Sequence, residues 1–206
     1  MEVKHILKTN KFYIRPIESH EIGKGAAILA CTFYNDIFFK WCVENPNERK
    51  EIVTNYYKVY LQSVGCVAHV AIEPDIGIVG ASVWLPKETQ EGMYDKIKEA
   101  VGVWAPRFDE VADRSHKNEP EQGPFYQLVG FGVLEKFQGM GIGYSLLKYH
   151  LDILDKKGIP TYLEASSPYS GSGIYGKFGY VPFGEPMVFT QTAVLYPLYR
   201  DRQKGT

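Results

Sequence analysis

The chain has 206 residues, 45% of them hydrophobic and 23% charged, and a formal net charge of -1. That length suits a single domain with one well-buried core, and the balanced charge gives no electrostatic basis for nucleic acid or anionic lipid as a partner. Cys31, Cys42 and Cys66 are odd in number and form no metal-ligand spacing, which predicts reduced thiols, a cytoplasmic location and no bound metal.

The opening "MEVKHILKTNKFYIRPI" has no apolar signal core, and no apolar run approaches the roughly 20 residues a membrane span needs, so neither export nor a membrane is expected. "FYIRPI" (12–17) reads as a first strand, Ser19 to Asn35 as a helix behind a Ser cap, and Asn47 to Val64 as a second helix. In the second helix the apolar stripe is placed on Ile52, Tyr56, Val59 or Tyr60, and Val64. "CVAHVAIE" and "IGIVGASVWLP" alternate as strands on either side of Pro74-Asp75, a hairpin signature. "EGMYDKIKEAVGVW" is helical in spacing. The polar segment Asp109 to Pro124 reads as a surface loop or a fraying continuation of that helix, with a lid over the substrate as the sharper alternative.

From Phe125 the chain alternates strand "FYQLVGFGVL", helix "GYSLLKYHLDILDKKG", strand "PTYLEAS" and short helix "SGIYGKFG". Strand-like runs from Tyr180 to Phe189 and Thr192 to Tyr199 complete it. The pattern is mixed α/β, one central sheet with helices inserted between its strands.

The stretch "FQGMGIG" (137–143) sits between an apolar strand and a leucine-rich helix. A helix entrance offers unpaired N–H groups and the positive end of the helix dipole, and glycines there let an anion approach, so a phosphate or pyrophosphate is the natural ligand. Neither Gly-Lys pair is followed by Ser or Thr, which removes a P-loop. A dinucleotide fingerprint fails at Tyr144, although Glu164 lies about 20 residues on, where a ribose-binding acid would stand, which leaves a nucleotide-binding alternative.

The spelling satisfied is Gln-x-x-Gly-x-Gly, with Gln138, Gly141 and Gly143. With "LVGFGVLEKFQGMGIGYSLL" and "YLEASS…IYGKFGYVPFGE", it resembles the GCN5-related N-acetyltransferase (GNAT) superfamily. The N-terminal half, "FFKWCVENPNERKEIVTNYY" and "GIVGASVWLP", is similar to the small-molecule amine branch that includes puromycin N-acetyltransferase. The resemblance implies a GNAT (acyl-CoA N-acyltransferase) fold of about six or seven strands. It implies acetyl-coenzyme A as cosubstrate, a small-molecule amine as acceptor by direct attack in a ternary complex, and admits a homodimer. A non-catalytic acyl-coenzyme A sensor or partner module is the alternative.

By resemblance, the backbone amides of Gln138, Gly139, Met140, Gly141, Ile142 and Gly143 hold the pyrophosphate. The backbone of Phe131, Gly132 and Val133 would pair with the pantetheine arm. Gly130 and Gly132 share one strand face, which leaves room for close backbone approach, a bulge or tight packing. Two departures are visible: Glu135 stands where the family commonly has proline, and the serine-rich "SSPYSGSG" replaces an Asn after the fifth strand. The second leaves Ser166 or Ser170 to meet the pantetheine. Tyr175 occupies the position of the family's tyrosine that faces the thioester sulfur.

An alkyl amine with a pKa near ~10 needs its proton removed before attack. Glu164 is the first candidate base and shares a strand face with Tyr162 and Ser166; Glu73 is the second. His69 and His150 fall within apolar patterns and read as core residues, and Trp84 and Tyr126 as core or acceptor-pocket aromatics.

Overall fold

The computed structural model describes residues 7–8, 11–87, 92–121 and 123–203. Most of the N-terminal tail, Glu91 at the start of one predicted helix and Gln122 in the polar segment lie outside the described residues.

The sheet begins with β1 (Leu7–Lys8) and β2 (Tyr13–Pro16), followed by the hairpin of β3 (Val67–Glu73) and β4 (Gly77–Pro86). The hairpin turn forms where Pro74-Asp75 predicts it. Glu73 Oε2 accepts the amides of Asp75 and Ile76 at 2.9 and 2.8 Å, and Gly77 supplies a φ of 97°. The remaining strands are β5 (Tyr126–Val133), β6 (Thr161–Ala165), β7 (Val181–Pro182), β8 (Met187–Val188) and β9 (Val194–Arg200). Their hydrogen-bonded order is β1-β2-β3-β4-β5-β6-β9-β7, with β8 on β9. All neighbours are antiparallel except β5 and β6. The run from Tyr180 to Phe189 divides into β7 and β8 because Pro182, Gly184 at φ 66° and Pro186 interrupt the ladder.

Helices α1 (Ile22–Phe33), α2 (Ile37–Cys42) and α3 (Pro46–Gln62) contribute to a core that includes Leu29, Phe39, Val53, Tyr57, Val70 and Val83. The expected Ser19 cap is replaced by Glu18: a 3-10 turn precedes α1, and Glu18 and Glu21 form a reciprocal capping box. Helix α2 escapes the periodicity reading because it is six residues long; its signal is Asp36, whose Oδ1 accepts the Phe38 and Phe39 amides at 2.9 and 3.2 Å.

In α3 the cap is Asn45 and the buried stripe is Arg49, Val53, Tyr57 and Leu61, one residue on from the predicted phase. Adjacent apolar pairs such as Ile52-Val53 and Tyr56-Tyr57 leave the phase undetermined in sequence. The packing that decides it is Tyr57 against Gly130: a Cβ at Gly130 would lie 2.7 Å from Tyr57 Cε1. Gly132 is filled in the same way by Thr32, 2.6 Å from where a Cβ would stand, so the side-chain face of both glycines is a packing surface.

Helix α4 (Met93–Val101) follows as expected, and α5 (Ala105–Asn118) runs through most of the polar segment. The segment is a regular helix rather than a loop; it needs few aliphatics because Phe108 and Ser115 are its only buried side chains. On the opposite side of the sheet, α6 (Ile142–Lys156) buries Ile142, Leu146, Leu147, His150, Leu151 and Leu154 against β2, β3, β4 and β5. His69 and His150 are 2% exposed in this layer, with ring centroids 5.0 Å apart, and Trp84 is fully buried 4.7 Å from His150. All three are core residues, and Trp84 is not among the residues that line the cavity bounded by β5, β6 and helices α3, α4 and α5.

The predicted helix "SGIYGKFG" is instead a series of turns ending in one 3-10 turn, Gly176–Phe178, capped by Gly179 at φ 85°. Three glycines over seven positions, Gly173, Gly176 and Gly179, raise the entropy cost of forming a helix. Gly176 packs directly on the Gly171 carbonyl, which leaves no room for a side chain.

Candidate active site

Strands β5 and β6 pair only from Tyr126 to Leu128 against Thr161 to Leu163. Beyond Leu128 they part, while β5 stays paired to β4 up to Val133 and β6 to β9 up to Ala165. The backbone of β5 that faces the gap therefore has no strand partner from Val129 onward, and an extended amide-bearing chain can pair with it. Phe131, Gly132 and Val133 lie on this stretch, which fits a pantetheine arm.

The glycine loop stands at the wide end of the gap. Gly139 and Gly141 have φ of 74° and 80°, and a Cβ at either would meet nothing within 4 Å. A side chain there would be strained by the backbone, and the space outside is open. Gly141 is the N-cap of α6, so the amides of Ile142, Gly143 and Tyr144 begin the helix without intrahelical partners. Gly143 serves packing instead: a Cβ there would sit 3.2 Å from Phe131 Cζ, so the glycine lets the helix end close on the strand. The Gln138 side chain turns inward, and its Nε2 donates to the Val133 carbonyl at 3.0 Å, tying the loop to the end of β5. Gln138 and Met140 are both exposed. Open amides, positive φ and the helix dipole suit a pyrophosphate.

A cavity of about 250 Å³ lies at the mouth of the gap, lined by β5, β6 and helices α3, α4 and α5. Tyr175, Glu164, Ser166, Ser170 and Phe131 all line it. The Tyr175 ring lies 6.0 Å from Phe131 and 5.7 Å from Tyr180, and among the described residues its hydroxyl makes no hydrogen bond. Burial pushes its pKa up, so it stays a phenol at neutral pH. The turn carrying it is held from behind. Arg200 Nε donates to the Phe178 carbonyl at 2.6 Å while its other nitrogens grip Asp155 at 2.6 and 2.8 Å, and Thr161 Oγ1 donates to the Tyr180 hydroxyl at 2.7 Å.

Glu164 accepts from Ser115 Oγ at 2.8 Å and from the Tyr162 hydroxyl at 3.0 Å. Burial nevertheless dominates, and its pKa is pushed up to about 7, with Glu119 adding repulsion. A carboxyl poised there exchanges a proton near neutrality. Glu73 is not in this cavity; its carboxylate is spent on the hairpin turn, which removes it as a candidate. Ser166 Oγ donates to Asp36 Oδ2 at 2.6 Å, so this hydroxyl links the end of β6 to the α2 cap.

Several cavity residues have no local signature in the sequence. Glu119 follows α5 in the polar segment, and Tyr56, Tyr60 and Tyr94 come from α3 and α4. The tyrosine repeat "YYKVY" in α3 is the signal available, and Tyr56, Tyr57 and Tyr60 all line the cavity.

Residues 94–180, which include β5, the glycine loop and Tyr175, match the model of the acetyltransferase (GNAT) family. That segment carries the features of a GNAT acetyltransferase. Members of that family use acetyl-coenzyme A as cosubstrate, and the match supports an acetyl-CoA-dependent acetyltransferase. An uncharacterized N-acetyltransferase of Schizosaccharomyces pombe is 24% identical, over 80% of this chain and 72% of the relative. A solved structure described as histone acetyltransferase HPA2 and related acetyltransferase, from Corynebacterium glutamicum, superposes with a TM-score of 0.71 at 20% identity, covering 95% of this chain and 99% of its own. Arylalkylamine N-acetyltransferase 2 from Aedes aegypti does so with a TM-score of 0.65 at 13% identity, over 94% and 100%. At these identities the structures share the fold. Among the described residues no three His, Cys, Asp or Glu side chains group as a metal site, and no helix is long and apolar enough to cross a membrane.

Proposed function

We propose that this GNAT domain transfers an acetyl group to the primary amine of a small molecule, by direct attack within a ternary complex, with Glu164 as base and Tyr175 as proton donor. The observation that carries the reading is the convergence of Glu164 and Tyr175 on one cavity at the point where β5 and β6 part.

The loop amides from Gln138 to Gly143 and the free edge of β5 fit the pyrophosphate and pantetheine of the coenzyme. When bound, acetyl-coenzyme A supplies an activated acyl group and a thiolate leaving group. Glu164, with a pKa near 7, takes a proton from the incoming ammonium and keeps it oriented through the Ser115 and Tyr162 hydroxyls. Tyr175 offers its hydroxyl to the departing sulfur; a phenol is a weaker acid than a thiol, so position does more than acidity here. Among the cysteines, neither Cys31, Cys42 nor Cys66 lines the cavity, which favours direct attack over an acyl-enzyme.

Thermal unfolding with coenzyme A and with NAD tests the cosubstrate: coenzyme A raises the melting temperature and NAD does not. Free-thiol release from acetyl-coenzyme A across a panel of amines tests the reaction. Coenzyme binding without amine-dependent release would support a non-catalytic acyl-coenzyme A sensor.

A further inference from the structure

We propose that the acceptor is a small monoamine with a flat apolar body and no acidic group, its ammonium held by Glu119 beside Glu164. This rests on the amine acetyltransferase reading of the same site and narrows it.

The Glu119 side chain is 5% exposed and lines the cavity, yet among the described residues its carboxylate accepts no hydrogen bond. Its ion-pair partner is His116 Nδ1 at 3.9 Å, on a side chain 76% exposed, and Lys87 nearby gives its Nζ to the Pro120 carbonyl at 2.7 Å. Burial raises the pKa of Glu119, with His116 and then Lys87 opposing. A buried carboxylate without a close partner is costly, and a ligand ammonium supplies the missing charge and donors.

No Lys, Arg or His lines the cavity among the described residues, whereas Asp109, Glu119 and Glu164 do. Asp109 is engaged by Lys98 at 3.5 Å, with both side chains nearly half exposed. An acceptor with its own carboxylate or phosphate would meet acids and no cation.

The facing wall is aromatic. Tyr56 lies 5.0 Å from Tyr60 and 4.9 Å from Phe108, and the Tyr56 and Tyr60 hydroxyls satisfy each other at 3.1 Å. Such faces suit a flat apolar group and attract the ammonium itself. They offer little to the hydroxyls of an amino sugar. The volume of about 250 Å³, below the roughly 300–1,000 Å³ of drug-sized sites, keeps the acceptor small.

Thiol release from acetyl-coenzyme A is measured with 2-phenylethylamine, L-phenylalanine and putrescine, and coenzyme binding is followed separately by the melting shift. The inference predicts that kcat/KM for 2-phenylethylamine exceeds that for L-phenylalanine by about 100-fold and that for putrescine by about tenfold. Glu119→Gln should raise KM for 2-phenylethylamine about tenfold, with kcat and the coenzyme-induced shift little changed. An equal or better rate with L-phenylalanine or putrescine overturns the inference, as does an unchanged KM in Glu119→Gln. Coenzyme stabilisation with no transfer to 2-phenylethylamine also overturns it, while transfer to another amine leaves the broader reading intact. Loss of both coenzyme stabilisation and transfer to every amine overturns the broader reading. The acceptor ranking uses the wild-type chain, so it decides the matter even if the variant does not fold.

Discussion

The Ser115 hydroxyl donates a 2.8 Å hydrogen bond to the Glu164 carboxylate, joining α5 to β6 across 49 positions of sequence. The bond favours the ionised form and opposes the burial that holds this group near 7. Ser115→Ala should therefore move the acidic, rising limb of the pH–rate profile to higher pH by about one unit or less. A profile recorded from about pH 5.5 to about pH 9 checks the direction.

The same carboxylate weakens the fold at alkaline pH. Its folded pKa, about 7, lies above the ordinary value of 4.5, so its contribution to stability is fully present below 4.5 and is lost as pH rises through 7. Glu164→Gln should raise the unfolding free energy at pH 8 by about 1 kcal/mol and leave it nearly unchanged at pH 5, while abolishing most activity. Chemical denaturation at the two pH values measures the difference.

His69 and His150 act in the opposite sense. Burial lowers the pKa of His69 from 6.5 to about 4 and that of His150 well below its ordinary value. The stability from keeping them neutral is complete above pH 6.5 and falls away as pH drops through about 4. His69 alone accounts for about 3 kcal/mol over that window. His69→Gln should flatten the acid side of the stability curve between pH 6.5 and 4, measured by urea unfolding.

Two groups of glycines separate by what replaces them. Gly139→Ala or Gly141→Ala forces a side chain to a φ of 74° or 80° in open space. Each should weaken coenzyme binding about tenfold with a stability loss of about 1–2 kcal/mol. Gly130→Ala drives a methyl group to 2.7 Å from the Tyr57 ring and should destabilise by about 1–3 kcal/mol. Calorimetric titration with coenzyme A beside denaturant unfolding distinguishes them.

The loop was legible in sequence because everything it needs is local: a strand, Gln138, the glycines and a leucine-rich helix occur within one short stretch. The acceptor side was not. Glu119 and Ser115 become site residues only because α5 lies against β6, and that contact has no trace in a polar run that reads equally as loop. The phase of α3 was ambiguous for a related reason: Tyr56 and Tyr57 are equally apolar, and the space above Gly130 makes Tyr57 the more deeply buried of the two, although both rings reach the cavity. The short helix around Tyr175 fails in the structure, yet Tyr175 still reaches the cavity, because Gly179 and the Arg200 contact fix the turn without helical hydrogen bonds.

Tyr175→Phe removes one hydroxyl and keeps the ring against Phe131 and Tyr180. The expected result is a loss of about 100-fold in kcat with the coenzyme KM unchanged, read from initial rates. A parallel rise in KM would instead mark the residue as part of coenzyme binding.

The most direct measurement is the pH dependence of thiol release from acetyl-coenzyme A in the presence of 2-phenylethylamine, for the wild-type chain and for Glu164→Gln. The account predicts amine-dependent release in the wild type, rising through an apparent pKa near 7, and its near-complete loss in the variant with the coenzyme-induced melting shift retained. Release in Glu164→Gln at the wild-type rate, with the same pH profile, would contradict it.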